Sequence, residues 1–155
     1  MKRVWIIGAA LVCLAQAGAA RNACELLTPK DLAFVRAKES HSTRDALTVT
    51  QCFYELPSFT NSVSVMMMTA SDDEIRRWWA ARVETKHEEE HEAETIEVDG
   101  VGREAVWSGN KLVGSLYVLD RGVILRISPG GAGTAKEKIA RSKALARIAL
   151  RRYRS

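Results

Sequence analysis

The sequence predicts an α+β domain: a mostly antiparallel sheet flanked by helices, an α/β/α sandwich with elements in the order α-β-β-α-β-β-β-β-α. Three observations carry this. Short alternating runs rich in β-branched and aromatic residues recur between Leu47 and Ser128, joined by the turns Pro57-Ser58, Gly109-Asn110 and Asp120-Arg121-Gly122. A capping box, Ser71-Asp72-Asp73-Glu74, interrupts them and opens a segment with apolar residues at helical spacing. From Ala135 the chain is rich in Ala, Lys, Leu and Arg, all good helix formers.

In chain order, Thr28-Pro29-Lys30-Asp31 reads as a helix start, with Thr28 as cap and Asp31 as capping-box acid. Leu32, Phe34 and Val35 give that short helix its apolar side. Residues 41–45 are polar loop. Residues 47–56 alternate Leu47, Val49, Gln51, Phe53 against Thr48, Thr50, Cys52, Tyr54, a strand pattern. Residues 62–69 form a second strand, with Val63, Val65 and Met67 on one face, and pair with the first. The helix after Ser71 carries Ile75, Trp79 and Val83 at i, i+4, i+8, with Trp78 flanking, and ends near Thr85. A charged connector, 86–95, leads to a short extended segment at Ile96 and Val98, broken by Gly100 and Gly102. Strands follow at 105–108, 111–119 and 123–128. The loop Pro129-Gly130-Gly131-Ala132-Gly133 precedes a last helix, 135 to about 153, with a narrow stripe of Ile139, Leu145, Ala146, Ala149 and Tyr153. The expected core comprises Val49, Phe53, Val63, Val65, Trp79, Leu116, Val118 and Ile127.

The N-terminus reads as an address. Lys2 and Arg3 precede an apolar run from Val4 to Ala15, then the small residues Ala17-Gly18-Ala19-Ala20. The run falls short of the roughly 20 residues a spanning helix needs. Ala10, Leu11 and Val12 before Cys13 do not suit lipid attachment. Residues 1–20 are therefore expected to be a cleaved signal peptide, leaving 21–155 as a single domain, periplasmic or secreted. The signal takes two of the 23 bases and none of the 19 acids, so the mature net charge is +2. Cys24 and Cys52 remain, permitting one bridge that closes a loop of 29 residues, counting both ends. Two separate thiols are the alternative.

Charge is unevenly spread. Between Glu84 and Asp99 there are eight acids against Lys86; from Ala135 onward there are eight bases against Glu137. The two blocks either screen each other or meet partners.

Several motifs invite chemistry. His87-Glu88-Glu89-Glu90-His91 matches H-E-x-x-H, whose histidines can share a zinc one helical turn apart. Its surroundings are acidic rather than apolar, and no third ligand follows in a convincing helix, so a solvated connector is the preferred reading. His41, Ser42 and Asp45 lack any nucleophile elbow. Gly100-Val101-Gly102 lacks the third glycine of a dinucleotide loop. The glycine loop before Ala135 can present a helix N-terminus to an anion but has no P-loop lysine. Met66-Met67-Met68 alternates as a strand and reads as packing rather than a copper site. Trp78 lies about 100° round the helix from Trp79 and belongs at the sheet rim or the edge of a groove.

The segment Cys24-Glu25-Leu26-Leu27-Thr28-Pro29-Lys30-Asp31-Leu32 resembles the "C-x-L-L-T-x-x-x-h" opening of small exported bacterial proteins of unknown function. The resemblance continues at Gln51-Cys52-Phe53-Tyr54. It returns at Val98-Asp99-Gly100-Val101-Gly102-Arg103-Glu104-Ala105-Val106-Trp107, similar to their "G-x-G-D-E-A" segment with Arg103 where an acid is commoner. It ends with a helix like Ala140-Arg141-Ser142-Lys143-Ala144-Leu145-Ala146. Many of those proteins are lipoproteins; this chain lacks their lipid site, so anchoring is not implied. Their fold is similar to the α/β/α sandwich of photosystem oxygen-evolving and nuclear-transport accessory proteins. The resemblance therefore implies action by binding, with no catalytic residues to carry over.

The expected function is a non-catalytic binding or accessory module of the periplasm or cell exterior, with no catalytic residue, cofactor or metal. Its partner would be a protein or small ligand met by the charged blocks and the rim near Trp78; nothing in the sequence specifies an oligomeric state. Nucleic acid is not expected. A peripheral envelope protein using its basic C-terminal helix on anionic lipid is one alternative, and a zinc metallopeptidase another.

Overall fold

Alternation along each strand becomes two differently furnished faces of one sheet. The computed structural model describes residues 22–44, 47–84, 94–110 and 112–155. The expected signal peptide, Asp45 and the His87–His91 run lie outside the described residues. The strands are β1 (Arg36–Arg44), β2 (Leu47–Glu55), β3 (Val63–Thr69), β4 (Glu94–Glu97), β5 (Glu104–Gly109), β6 (Gly114–Asp120) and β7 (Val123–Pro129). The helices are α1 (Asp72–Glu84) and α2 (Ala135–Arg154). All neighbouring strands are antiparallel, in the order β1-β2-β3-β7-β6-β5-β4. Two meanders, β1 to β3 and β4 to β7, thus meet where β7 pairs with β3, and α1 connects them.

The helices cover opposite faces, which makes the α+β architecture an α/β/α sandwich. Val63, Val65 and Met67 of β3, Val123, Leu125 and Ile127 of β7, and Leu116 and Val118 of β6 form one core with Leu145, Ala146, Ala149 and Leu150 of α2. Residues one step out of phase, Met68, Ile124, Leu119, Tyr117 and Val106, form a second core with Ile75 and Trp79 of α1. The methionine run divides as its alternation predicts, Met67 toward α2 and Met68 toward α1. Trp107 is only 1% exposed; any Cβ at Gly114 on the neighbouring strand would overlap its ring, so glycine is what lets the indole in.

The N-terminal segment departs from expectation in detail. The helical turn is 3-10 and sits earlier, at Ala23–Glu25, capped by the Asn22 side chain. Thr28 does meet its capping acid: its N–H and hydroxyl donate to Asp31 Oδ2 at 2.7 and 2.6 Å. No helix follows, because the sheet claims the backbone. Val35 N–H donates to Glu55 O at 2.8 Å, and the Phe34 ring packs 5.1 Å from that of Tyr54. Tertiary pairing here overrides local propensity. The polar residues 41–44, expected as loop, complete β1, an edge strand whose charged and hydroxyl side chains suit an edge. In β2 the fully buried set is Thr50, Cys52 and Tyr54; Val49 and Phe53, expected in the core, are half-buried on the α1 face.

Cys24 and Cys52 are bonded, with Cα atoms 5.0 Å apart, and tie the first turn to β2. The C-terminus is held: Arg152 donates to Leu26 O at 2.9 Å and to Asp31 at 2.5 Å, and Arg154 to Asp120 at 2.9 and 2.5 Å. That guanidinium holds the Asp31 carboxyl well below the usual carboxylate range. Among the described residues no helix is long and apolar enough to cross a membrane.

Candidate functional site

The α1 face is only partly covered. With 13 residues, α1 is about 20 Å long, and it packs over the Met68–Ile124–Leu119 end of the sheet. At the other end the strand register lays out a row of hydroxyls: Phe53 opposite Ser64, Ser64 opposite Ser128, and Ser108 opposite both Ser115 and Thr95. Ser115 and Ser128 close the row, their Oγ atoms 2.6 Å apart. The Gln51 amide donates to Ser64 Oγ at 2.9 Å.

Apolar side chains stand around this floor and leave a groove of about 650 Å³. Phe59 is 70% exposed, Leu112 80% and Val113 67%. Each is held rigidly. Phe59 opens a 3-10 turn closed by Asn61 N–H to Ser58 O and Ser62 N–H to Phe59 O, with its ring 5.7 Å from that of Phe53. Leu112 and Val113 form the β5–β6 tip, where both N–H groups donate to Asn110 Oδ1 at 2.8 and 2.9 Å. Lys138 of α2, only 4% exposed, donates to Leu112 O at 2.6 Å from below. The groove thus combines exposed apolar groups with a polar floor.

Among the described residues, the groove lining contains no Asp, Glu, His, Lys or Arg. The four serines are hydrogen-bonding groups of the floor, and a serine hydroxyl is a weak nucleophile until a base takes its proton. One row further in on the same face lies Arg126, between Met66 of β3 and Tyr117 of β6. Its Nε is buried and has no hydrogen-bond partner.

The residues singled out in the sequence are scattered. Trp79 is buried and donates from Nε1 to Glu104 at 2.8 Å. Trp78 is half-buried, its ring 6.4 Å from that of Tyr117, and belongs to the rim of α1 rather than to the groove. His41 and Ser42 are consecutive exposed residues of β1 and so point to opposite faces. The glycine loop ends in a capping box in which Thr134 N–H donates to Glu137 Oε2 at 2.7 Å. These bonds hold the Glu137 carboxyl below its ordinary range and supply the α2 N-terminus with an anion of its own. Among the described residues no group of three or more His, Cys, Asp or Glu could hold a metal.

The basic block of α2 is partly engaged within the fold. Arg152 and Arg154 bond to carboxylates. Lys138 donates to Leu112 O, Arg141 to Gly130 O and Arg147 to Gly100 O at 2.8 and 3.0 Å, bonds that leave their charge in place. The groove itself was not visible in the sequence. Ser64, Ser108, Ser115 and Ser128 each look like the solvent side of a separate strand, and only the register gathers them. The chain matches no protein-family model, no curated protein and no solved structure.

Proposed function

We propose that the protein is an exported, non-catalytic binding module of the periplasm or cell exterior, and that its ligand seats in the serine-floored groove. The observation that carries this reading is the groove's lining: hydroxyls and exposed apolar side chains, with no titratable group among the described residues that line it. Such a site can bind and orient but has no proton to move. The Cys24–Cys52 bridge agrees with an oxidising compartment, and the resemblance to exported accessory proteins points the same way. The lipid-binding alternative loses support only in that Arg152 and Arg154 are paired with carboxylates of the fold and Lys138 is buried. Trp78 serves as a secondary contact at the helix rim.

The test is capture of partners from native envelope extract. Ser128→Tyr, which fills the groove, should abolish capture while leaving the circular-dichroism spectrum unchanged; Trp78→Ala should weaken it. Undiminished capture by Ser128→Tyr would show that the groove is the wrong surface. Turnover of any substrate by the purified protein would end the non-catalytic reading.

A further inference from the structure

Arg126 is the residue of this face that packing alone does not account for. It projects from the central strand of a sheet, flanked in register by Met66 and Tyr117, with Ser128 two residues along on the same side. An arginine so placed ordinarily has a carboxylate partner, since a buried, unsatisfied charged donor weakens a fold. Here no described carboxylate pairs with it. On the same face, Glu55 is taken by Arg36 at 2.6 Å and Glu104 by Trp79 at 2.8 Å. Arg82 stacks 4.6 Å above the Tyr117 ring and donates to its hydroxyl at 3.0 Å, which holds that ring beside Arg126. Lys38, opposite Phe53 on the edge strand, adds a cation at the outer end of the serine row. Arg126 is half-buried while its Nε is sealed, so its terminal Nη groups are the part left open toward the face.

We infer that the groove and the Arg126 side chain in the adjoining row together take a small anionic amphiphile: an oxyanion head, carboxylate or phosphate monoester, at Arg126, and a short apolar body in the groove. This rests on the binding-module reading and names its ligand class. The planar guanidinium suits a two-oxygen head, which it meets with paired N–H donors. Gln51 and the hydroxyls of Ser64 and Ser128 lie between the head and the groove. The apolar body then lies against Phe53, Phe59 and Val113, burying surface that the free protein exposes. The ligand is a free molecule rather than a bilayer surface. Arg126 projects from β7, the middle strand of the sheet, half-buried and with its Nε sealed, where head groups lying in one plane do not reach.

The experiment titrates the mature protein with decanoate, decyl phosphate, decanol and decyltrimethylammonium below their micelle concentrations, followed by calorimetry and by amide shifts of Ser115 and Ser128. The two anions should bind at least about tenfold more tightly than decanol, the worth of a charge-assisted hydrogen bond, and the cation more weakly still. Arg126→Gln should remove the preference for anions while leaving decanol binding unchanged, and Arg126→Lys should restore part of it. If decanoate and decanol bind equally and Arg126→Gln alters neither, the anion inference fails while the groove reading stands. If no amphiphile binds but Ser128→Tyr still abolishes partner capture, the ligand class is wrong and the site is right. If capture also survives that change, both fail. Binding confined to phosphatidylglycerol vesicles, and lost in Arg126→Gln, would overturn the free-molecule assignment in favour of a membrane.

Discussion

The two faces of the sheet follow different rules. On the α2 face the central strands present an unbroken apolar floor, Val63, Val65, Met67, Val123, Leu125, Ile127, Leu116 and Val118. A 20-residue helix about 30 Å long lies over it, and its end is tied down by Arg152 and Arg154. On the α1 face the same strands present Met68, Ile124 and Leu119 at one end, Arg126 in the middle and serines at the other. The shorter helix covers the apolar end alone. A sheet is sealed where its outward residues reward burial, and it stays open where hydroxyls and a cation would lose water without compensation. The closed face of the molecule and its partly open face are thus separated by the thickness of one sheet.

The sharpest way to break this comparison is to truncate one tryptophan on each side. Trp107→Ala, in the α2-side core, should cost about 3–5 kcal/mol in urea denaturation, and Trp78→Ala, at the α1 rim, no more than about 1 kcal/mol. Equal losses would mean that the α1 face is as tightly built as the other. The bridge belongs to the closed face. Replacing Cys24 and Cys52 with serine should cost about 2–4 kcal/mol, in line with the roughly 3.6 kcal/mol that chain entropy assigns to a 29-residue loop. Reductant should lower the wild-type urea midpoint and leave that of the double variant unmoved.

Titration probes the same face. Arg152 lowers the Asp31 carboxyl below its ordinary value of 3.8. The folded state therefore binds this proton less readily than the unfolded state. The pair's stabilisation is present above that value and is lost as the pH falls below it. Asp31→Asn should cost about 1–3 kcal/mol at pH 7 and flatten the acid limb of the stability curve. Burial works in the opposite sense on Tyr54, pushing its phenol up to about 12. Its contribution is complete below pH 10 and disappears as the pH rises through 12, so Tyr54→Phe should flatten the alkaline limb. A Tyr54→Phe curve that overlays wild type above pH 10 would remove this residue from the account.

The smallest effect carries the opposite sign. Arg126→Met should raise stability by up to about 1 kcal/mol, because it replaces an unpaired, half-buried cation with an apolar chain of similar length. A clear loss of stability would show that the guanidinium is already satisfied, and would weaken its role as a ligand anchor.

The features legible in the residues alone are local. Period-two alternation at Val63, Val65, Met67 and at Leu116, Val118 marked the strands, because a strand's side chains must alternate. The capping box at Ser71 placed α1, and two cysteines could form only one internal bridge. Even the division of the methionines between faces followed from parity. Everything that depends on which strand lies beside which waited for the tertiary structure. Nothing near Thr28 announces that its segment gives up a helix to pair with β2, since the competing hydrogen bonds come from Glu55, a residue distant in the chain. The C-terminal arginines look like a solvent-facing tail until Asp31 and Asp120 arrive beside them. The serine row is the strongest case. Four hydroxyls on four strands are each unremarkable as outward positions, and register places them side by side. Hydrogen bonding between strands, rather than any motif along the chain, is what makes them a floor.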